Sequence, residues 1–216
     1  MHKKKFSSLV LLIPSFNELG NLKKFLIKLN KNYNILVVDD SSTDMTNEFL
    51  KVNKIPFIRN KINLGYENSL ISGMQFIKKQ RKYKKILTMD ADGQHKEKYI
   101  DKINKIYDRK NADVIVGSRI NKNRIIEKII SYFFYKKFKI NDPLSGFKIY
   151  KTESLSKLNL AKIKNFFLVD LLVQLLHAEK KVFSINIKTR ARKDYPRIGS
   201  TFKVNLKMLN ILVNSF

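Results

Sequence analysis

The sequence predicts an α/β protein with a mostly parallel sheet flanked by helices on both faces and basic amphipathic helices toward the C-terminus. Short continuous apolar runs such as LVLLI (9–13) and ILVV (35–38) read as strands buried on both faces, as in parallel sheets. Longer amphipathic stretches alternate with them, the rhythm of βα units. The chain has 216 residues, 44% of them hydrophobic, enough for one core, and no internal repeat, Pro/Gly linker or low-complexity tract divides it.

In order, 9–13, 35–38 and 57–59 are expected as strands, and 22–29, 46–52 and 69–79 as helices, giving βαβαβα. Two further strands, 85–89 and 114–117, enclose a helix over 96–109. After Arg119 the character changes. Ile125, Ile126, Ile129, Ile130, Phe133, Phe134 and Phe138 recur at helical spacing beside Lys128, Lys136, Lys137 and Lys139. The segment reads either as a core helix with a solvated face or as a helix lying in a membrane interface, aromatics inserted and lysines on anionic head groups. A similar stretch closes the chain, so residues 1–201 are expected as the main domain and 202–216 as a basic amphipathic segment.

Lys and Arg number 44 against 18 Asp and Glu, a formal charge of +26. Such a field attracts phosphates, nucleic acid or anionic lipid without choosing among them. The absence of Cys excludes disulfides, thiolate metal sites and cysteine nucleophiles, and a cytoplasmic setting is the default. The apolar run 9–13 is too short for a signal peptide, and no stretch approaches the roughly 18 residues a spanning helix needs.

In open parallel sheets ligands bind beyond the carboxyl ends of the strands. Those ends are acidic here: Pro14-Ser15-Phe16-Asn17-Glu18, then Asp39-Asp40-Ser41-Ser42-Thr43-Asp44, then Asp90-Ala91-Asp92-Gly93-Gln94-His95. Asp90 and Asp92 would face one side of an extended strand end, about 6–7 Å apart, and could share a divalent cation with Gln94 adding an oxygen. Hard oxygen ligands completed by substrate phosphates suit Mg²⁺ or Mn²⁺. Asp44 or Thr43 can cap the helix beginning near Thr46 while Asp39 and Asp40 point into the cleft. His95 reads as a loop residue beside this site. Neither a P-loop nor a G-x-G-x-x-G fingerprint occurs, so metal and carboxylates would hold a nucleotide. The acidic strand ends also argue against nucleic acid as a partner.

With Asn63-Leu64-Gly65, Gly117-Ser118-Arg119 and Asp142-Pro143-Leu144-Ser145-Gly146-Phe147, these motifs resemble the inverting family 2 glycosyltransferases of GT-A (Rossmann-like) fold. The likeness is greatest to the branch of dolichyl-phosphate mannosyltransferases and bacterial polyprenyl-phosphate sugar transferases. It implies a nucleotide-sugar pocket of Pro14, Phe16, Glu18, Val38, Asp39, Asp40, Asp90, Ala91 and Asp92. It implies a metal site of Asp90, Asp92 and Gln94, and an acceptor-phosphate site of Arg119, Arg124, Ser145, Arg197 and Lys203. Asp92, Arg119 and Asp142 would sit at the reaction centre.

The implied reaction moves a sugar from a nucleotide donor, GDP-mannose or a UDP-sugar, to polyprenyl or dolichyl phosphate, with inversion. The alternative acceptor is a hydroxyl of a cell-surface glycan such as lipopolysaccharide, capsule or O-antigen, for which Asp142 would be the base. The expected setting is the cytoplasmic face of an anionic membrane, peripherally or with a separate membrane subunit.

Overall fold

The computed structural model describes residues 4–122, 124–156, 158–160 and 166–190. In chain order the elements are β1 (Leu9–Ser15), α1 (Leu19–Asn32), β2 (Asn34–Asp39), α2 (Thr46–Val52), β3 (Phe57–Arg59), α3 (Tyr66–Gln80), β4 (Lys85–Thr88), α4 (Lys98–Lys110), β5 (Val114–Arg119), α5 (Ile125–Phe138), β6 (Lys148–Lys151), α6 (Phe167–His177) and β7 (Val182–Ile187). One sheet of seven strands runs β3-β2-β1-β4-β6-β5-β7. All its pairings are parallel except those of β6, which is antiparallel to both neighbours.

The expected strand and helix positions up to residue 138 are all occupied. β6, α6 and β7 are additional. The amphipathic segment expected over 202–216 lies outside the described residues.

Strand periodicity places the core on both faces. Leu9, Leu11 and Ile13 of β1 pack with Leu22, Leu26 and Leu29 of α1 and Ile100, Ile103 and Tyr107 of α4. Val10 and Leu12 point the other way, toward Leu70, Met74 and Ile77 of α3 and Leu171, Leu172 and Leu175 of α6. Full burial of each such side chain contributes about 2 kcal/mol. A Cβ on Gly73 would strike the side chains of Leu12 and Val38, so α3 approaches the sheet at a distance only glycine permits.

α5 is attached differently. Ile130 and Phe134 pack on Val169 and Val173 of α6, forming a small satellite core. The core reading therefore holds for the inner face of α5, while Ile125, Ile129, Tyr132, Phe133 and Tyr135 remain exposed.

β6 decides where the site forms. Because it runs against β4 and β5, its first residue, Lys148, lies opposite Thr88 and Val116 near the ends of those strands. The loop entering β6 thus meets the loops leaving β4 and β5.

Candidate active site

A cleft of about 950 Å³ opens at the carboxyl edge of the sheet, lined from the ends of β1, β2, β4 and β5, the loop before β6, and the first turns of α3, α5 and α6. Pro14, Phe16, Glu18, Asp40, Asp90, Ala91, Asp92, Gln94, Arg119 and Arg124 all line it. Ten of the residues singled out from sequence, scattered over more than a hundred positions, thus come together.

The first two strand-end loops are stitched to each other. Asn17, at φ 52°, donates its backbone N–H to Ser42 Oγ, and its side-chain oxygen accepts from the Thr43 N–H at 2.8 Å. Asp44 caps two helices at once, accepting from the Leu19 N–H of α1 and from the Thr46 hydroxyl of α2. Burial alone would raise its pKa, yet these donors hold it below the ordinary carboxylate range.

Of the two adjacent carboxylates at the end of β2, Asp39 and Asp40, only Asp40 lines the cleft. It is almost fully buried in the wall and accepts from the Asn60 amide at 2.7 Å and the Leu64 and Gly65 N–H groups at 2.9 and 2.7 Å, clasping the 63–65 turn. Asp39 does not point into the cleft as expected. It is fully buried, accepts from the Ser42 N–H and is ion-paired with Arg59 at 3.1 Å. Val38 is likewise absent from the cleft, because its side chain packs beneath α3 in the core.

The D-x-D segment is a turn rather than the extended strand end expected. β4 stops at Thr88, Gly93 takes φ 73°, and Asp92 Oδ1 accepts from the Gln94 N–H at 3.0 Å. Asp90, Asp92 and Gln94 nevertheless share the cleft wall. Asp90 is positioned from three sides. The Tyr66 hydroxyl donates to Oδ1 at 2.8 Å, His95 Nε2 lies 3.6 Å from Oδ2, and a Cβ on Gly146 would fall within 2.7 Å of the carboxylate. Burial would raise Asp90, but His95, Tyr66 and Arg119 together lower it, so the carboxylate stays ionised. His95 is itself held by stacking on Phe147 at 4.7 Å.

These donors fit a divalent cation of the Mg²⁺ or Mn²⁺ kind. The cleft offers two carboxylates and an amide oxygen, hard ligands lining a space wide enough for a diphosphate. No group of three or more His, Asp or Glu side chains able to hold a metal occurs among the described residues, so substrate oxygens would complete the shell.

The other end of the cleft carries two arginines, Arg119 and Arg124, with Glu127 beside them. Arg119 closes β5 and donates through Nε and Nη2 to Asp142 at 2.8 and 3.1 Å, while its backbone N–H reaches the same carboxylate at 3.0 Å. Burial disfavours its charge, but Asp142 and Glu127 more than offset this and raise its pKa. Arg124 stands at the N-terminus of α5, and Leu144, Phe166, Leu168 and Val169 supply an adjoining apolar wall.

Two expected site residues serve the frame instead. Asp142 is fully buried with both oxygens engaged by Arg119, so it orients the guanidinium and does not touch the cleft. Ser145 is equally buried: its hydroxyl donates to the Gly117 carbonyl at 2.7 Å and accepts from the Phe147 N–H, tying the loop to β5. Arg197 and Lys203 lie outside the described residues. Tyr66, Glu67, Gly146 and the apolar wall were not anticipated. The Asn63-Leu64-Gly65 motif ends one residue short of Tyr66, the nearest signal in the sequence.

The family model for glycosyl transferase family 2 matches residues 10–158. An uncharacterised protein of Methanocaldococcus jannaschii is 36% identical over 167 residues, covering 68% of this chain and 73% of that protein. A dolichol-phosphate mannosyltransferase of Pyrococcus furiosus is 26% identical over 216 residues, covering 88% of this chain but only 59% of the enzyme's length. Among solved structures, glucosyl-3-phosphoglycerate synthase from Mycobacterium tuberculosis in complex with Mn²⁺, UDP-glucose and phosphoglyceric acid superposes with a TM-score of 0.74. That match covers 97% of this chain and 79% of the other at 13% identity, a likeness of fold.

Proposed function

Because the chain belongs to glycosyl transferase family 2, we propose that it moves a sugar from a nucleoside-diphosphate donor, GDP-mannose or a UDP-sugar, to polyprenyl or dolichyl phosphate at a membrane surface. The observation that carries this reading is the two unlike ends of one cleft: Asp90, Asp92 and Gln94 at one, and Arg119 and Arg124 beside an apolar wall at the other. A nucleotide diphosphate with its divalent cation suits the first. A lipid phosphate suits the second, its charge on the arginines and its first isoprene unit against Leu144, Phe166 and Val169. The Pyrococcus relative, named for transfer to dolichol phosphate, supports the same acceptor.

The residues divide the work. Asp40 and the 63–65 turn shape the nucleotide end, and Tyr66, His95 and Gly146 fix Asp90 beneath the diphosphate. Bound Mg²⁺ or Mn²⁺ would stabilise the charge that develops on the leaving diphosphate. Arg119 orients the acceptor oxygen for attack on the far side of the anomeric carbon, inverting the linkage. A phosphate monoester, with a second pKa of about 6, is already largely dianionic at neutral pH and needs no base. The engagement of both Asp142 oxygens favours this acceptor over a glycan hydroxyl, which would require a carboxylate free to take a proton.

The outer face of α5 supports the membrane setting. Ile125, Ile129, Tyr132, Phe133 and Tyr135 are exposed among Lys128, Lys136, Lys137 and Lys139, the composition of an interfacial helix, and Arg124 at its start lines the cleft. No helix of the described residues is long and apolar enough to cross a bilayer.

The test is a transfer assay with Mn²⁺ or Mg²⁺, a panel of UDP- and GDP-sugars, and short-chain polyprenyl phosphate. Labelled lipid formed by the wild type and absent with Asp92→Ala is expected. Transfer only to glycan hydroxyls, abolished by Asp142→Asn, would overturn the phosphate acceptor.

A further inference from the structure

Lys148, the first residue of β6, has no exposed surface. Lysine is almost never fully buried unless its charge is compensated. Its ammonium donates to the carbonyls of Pro143 and Ser145, both in the loop that carries Asp142 and Gly146. Neutral carbonyls offset only part of the cost of removing a charge from water. If holding the loop were the whole role, an uncharged amide could donate to the same carbonyls at lower cost.

The surroundings explain the charge. Asp142, Arg119 and Asp90 are the charged groups whose fields reach the Lys148 ammonium. Arg119 is bound to Asp142 and lies 3.6 Å from Glu127, so these three groups alone carry no net positive charge toward the cleft. A second cation, its ammonium bonded to the Pro143 and Ser145 carbonyls of the same loop, brings that sum from −1 to zero. Burial pushes the Lys148 ammonium down to about 7 while Asp142 draws it back up, and an anion arriving nearby would draw it up further.

We propose that Lys148 is a positioning residue for anion binding: by balancing Asp142 from behind, it leaves the Arg119 guanidinium free to act as a cation on a phosphate monoester in the cleft. The inference rests on the reading of Arg119 as the phosphate-holding residue.

The test is calorimetric titration of the whole chain with inorganic phosphate, compared across the wild type, Arg119→Gln, Lys148→Gln and Lys148→Gln combined with Asp142→Asn. The Gln variant keeps a donor for the two carbonyls while removing the charge. It should weaken phosphate binding about tenfold, and the double variant, which removes the carboxylate as well, should recover most of the loss. Melting temperatures establish that each variant is folded, and Lys148→Met, of similar length, replaces Lys148→Gln if the latter is not. Phosphate binding that needs Arg119 but ignores Lys148→Gln overturns the proposal alone and leaves the lysine a loop anchor. Failure of the double variant to improve on the single overturns the charge-balance link. Indifference to Arg119→Gln removes the underlying reading and the proposal with it.

Discussion

The two ends of the cleft are built on different physical principles. At the donor end, the carboxylates sit in turns that follow β2 and β4 and are held mainly by hydrogen bonds, from backbone N–H groups to Asp40 and from the Tyr66 hydroxyl to Asp90. At the acceptor end, a buried ion pair between Arg119 and Asp142 and the sequestered ammonium of Lys148 set the geometry. Asp92, which lies in the cleft wall and is only partly buried, can therefore be altered at little expense to folding. Acceptor-end charges cannot, because removing one strands its partner in a medium that solvates it poorly.

The largest expected effect sharpens that contrast. Asp92→Ala should lower sugar transfer roughly 10²–10³-fold, the scale of losing one electrostatic stabiliser of the transition state, with the melting temperature nearly unchanged. Asp142→Ala should do the reverse at the level of folding. It removes the buried carboxylate bonded to Arg119 and should destabilise the protein by about 3–5 kcal/mol, lowering the melting temperature by roughly 10 °C. Equal melting temperatures for the two variants would break the comparison.

Gly146 joins the two ends, since it belongs to the acceptor loop but faces a donor carboxylate. A Cβ there would lie 2.7 Å from Asp90 Oδ1 and 3.0 Å from the Tyr66 hydroxyl. Gly146→Ala should cost about tenfold in transfer and raise the Mn²⁺ concentration needed for half-maximal rate, while a reduced melting temperature with unaltered metal dependence would contradict it.

The smallest effect lies in α6, outside both ends of the cleft. Burial first and then Glu67 push the Asp170 carboxyl up to about 6. A folded-state pKa above the unfolded value means the ionised form costs stability: nothing below about pH 4, growing between 4 and 6, and complete above 6. Asp170 is only partly buried, so the cost after solvent screening is about 1 kcal/mol. Asp170→Asn should raise the melting temperature by roughly 2–4 °C at pH 7 and leave it unchanged at pH 4.

The two ends also differ in how far they can be read from sequence. Strands β1, β2 and β5 are legible because burial on both faces makes each a near-continuous apolar run. β6, reading Lys-Ile-Tyr-Lys, is not: it is four residues long and begins with a lysine that only its tertiary partners allow to be buried. α6 is apolar around most of its circumference, which erases the helical period, and the residues of β7 are mostly half-buried.

The donor motifs are local, so Asp90, Asp92 and Asp40 are found from their place after a strand. The assignment of Asp39, Ser145 and Asp142 to the frame depends on Arg59, Gly117 and Arg119, which are distant in sequence and become neighbours only in the folded sheet.

The antiparallel β6 is also the one link between two parts of the described sheet. β5 and β7 reach the rest of the sheet only through β6, so the half built from β3, β2, β1 and β4 can pair by itself while the other half waits for residue 151 to be synthesised. The Arg119 cluster and Gly146 arrive with that last step. A growing chain therefore holds the residues of its acidic turns before those that complete the cleft have been made.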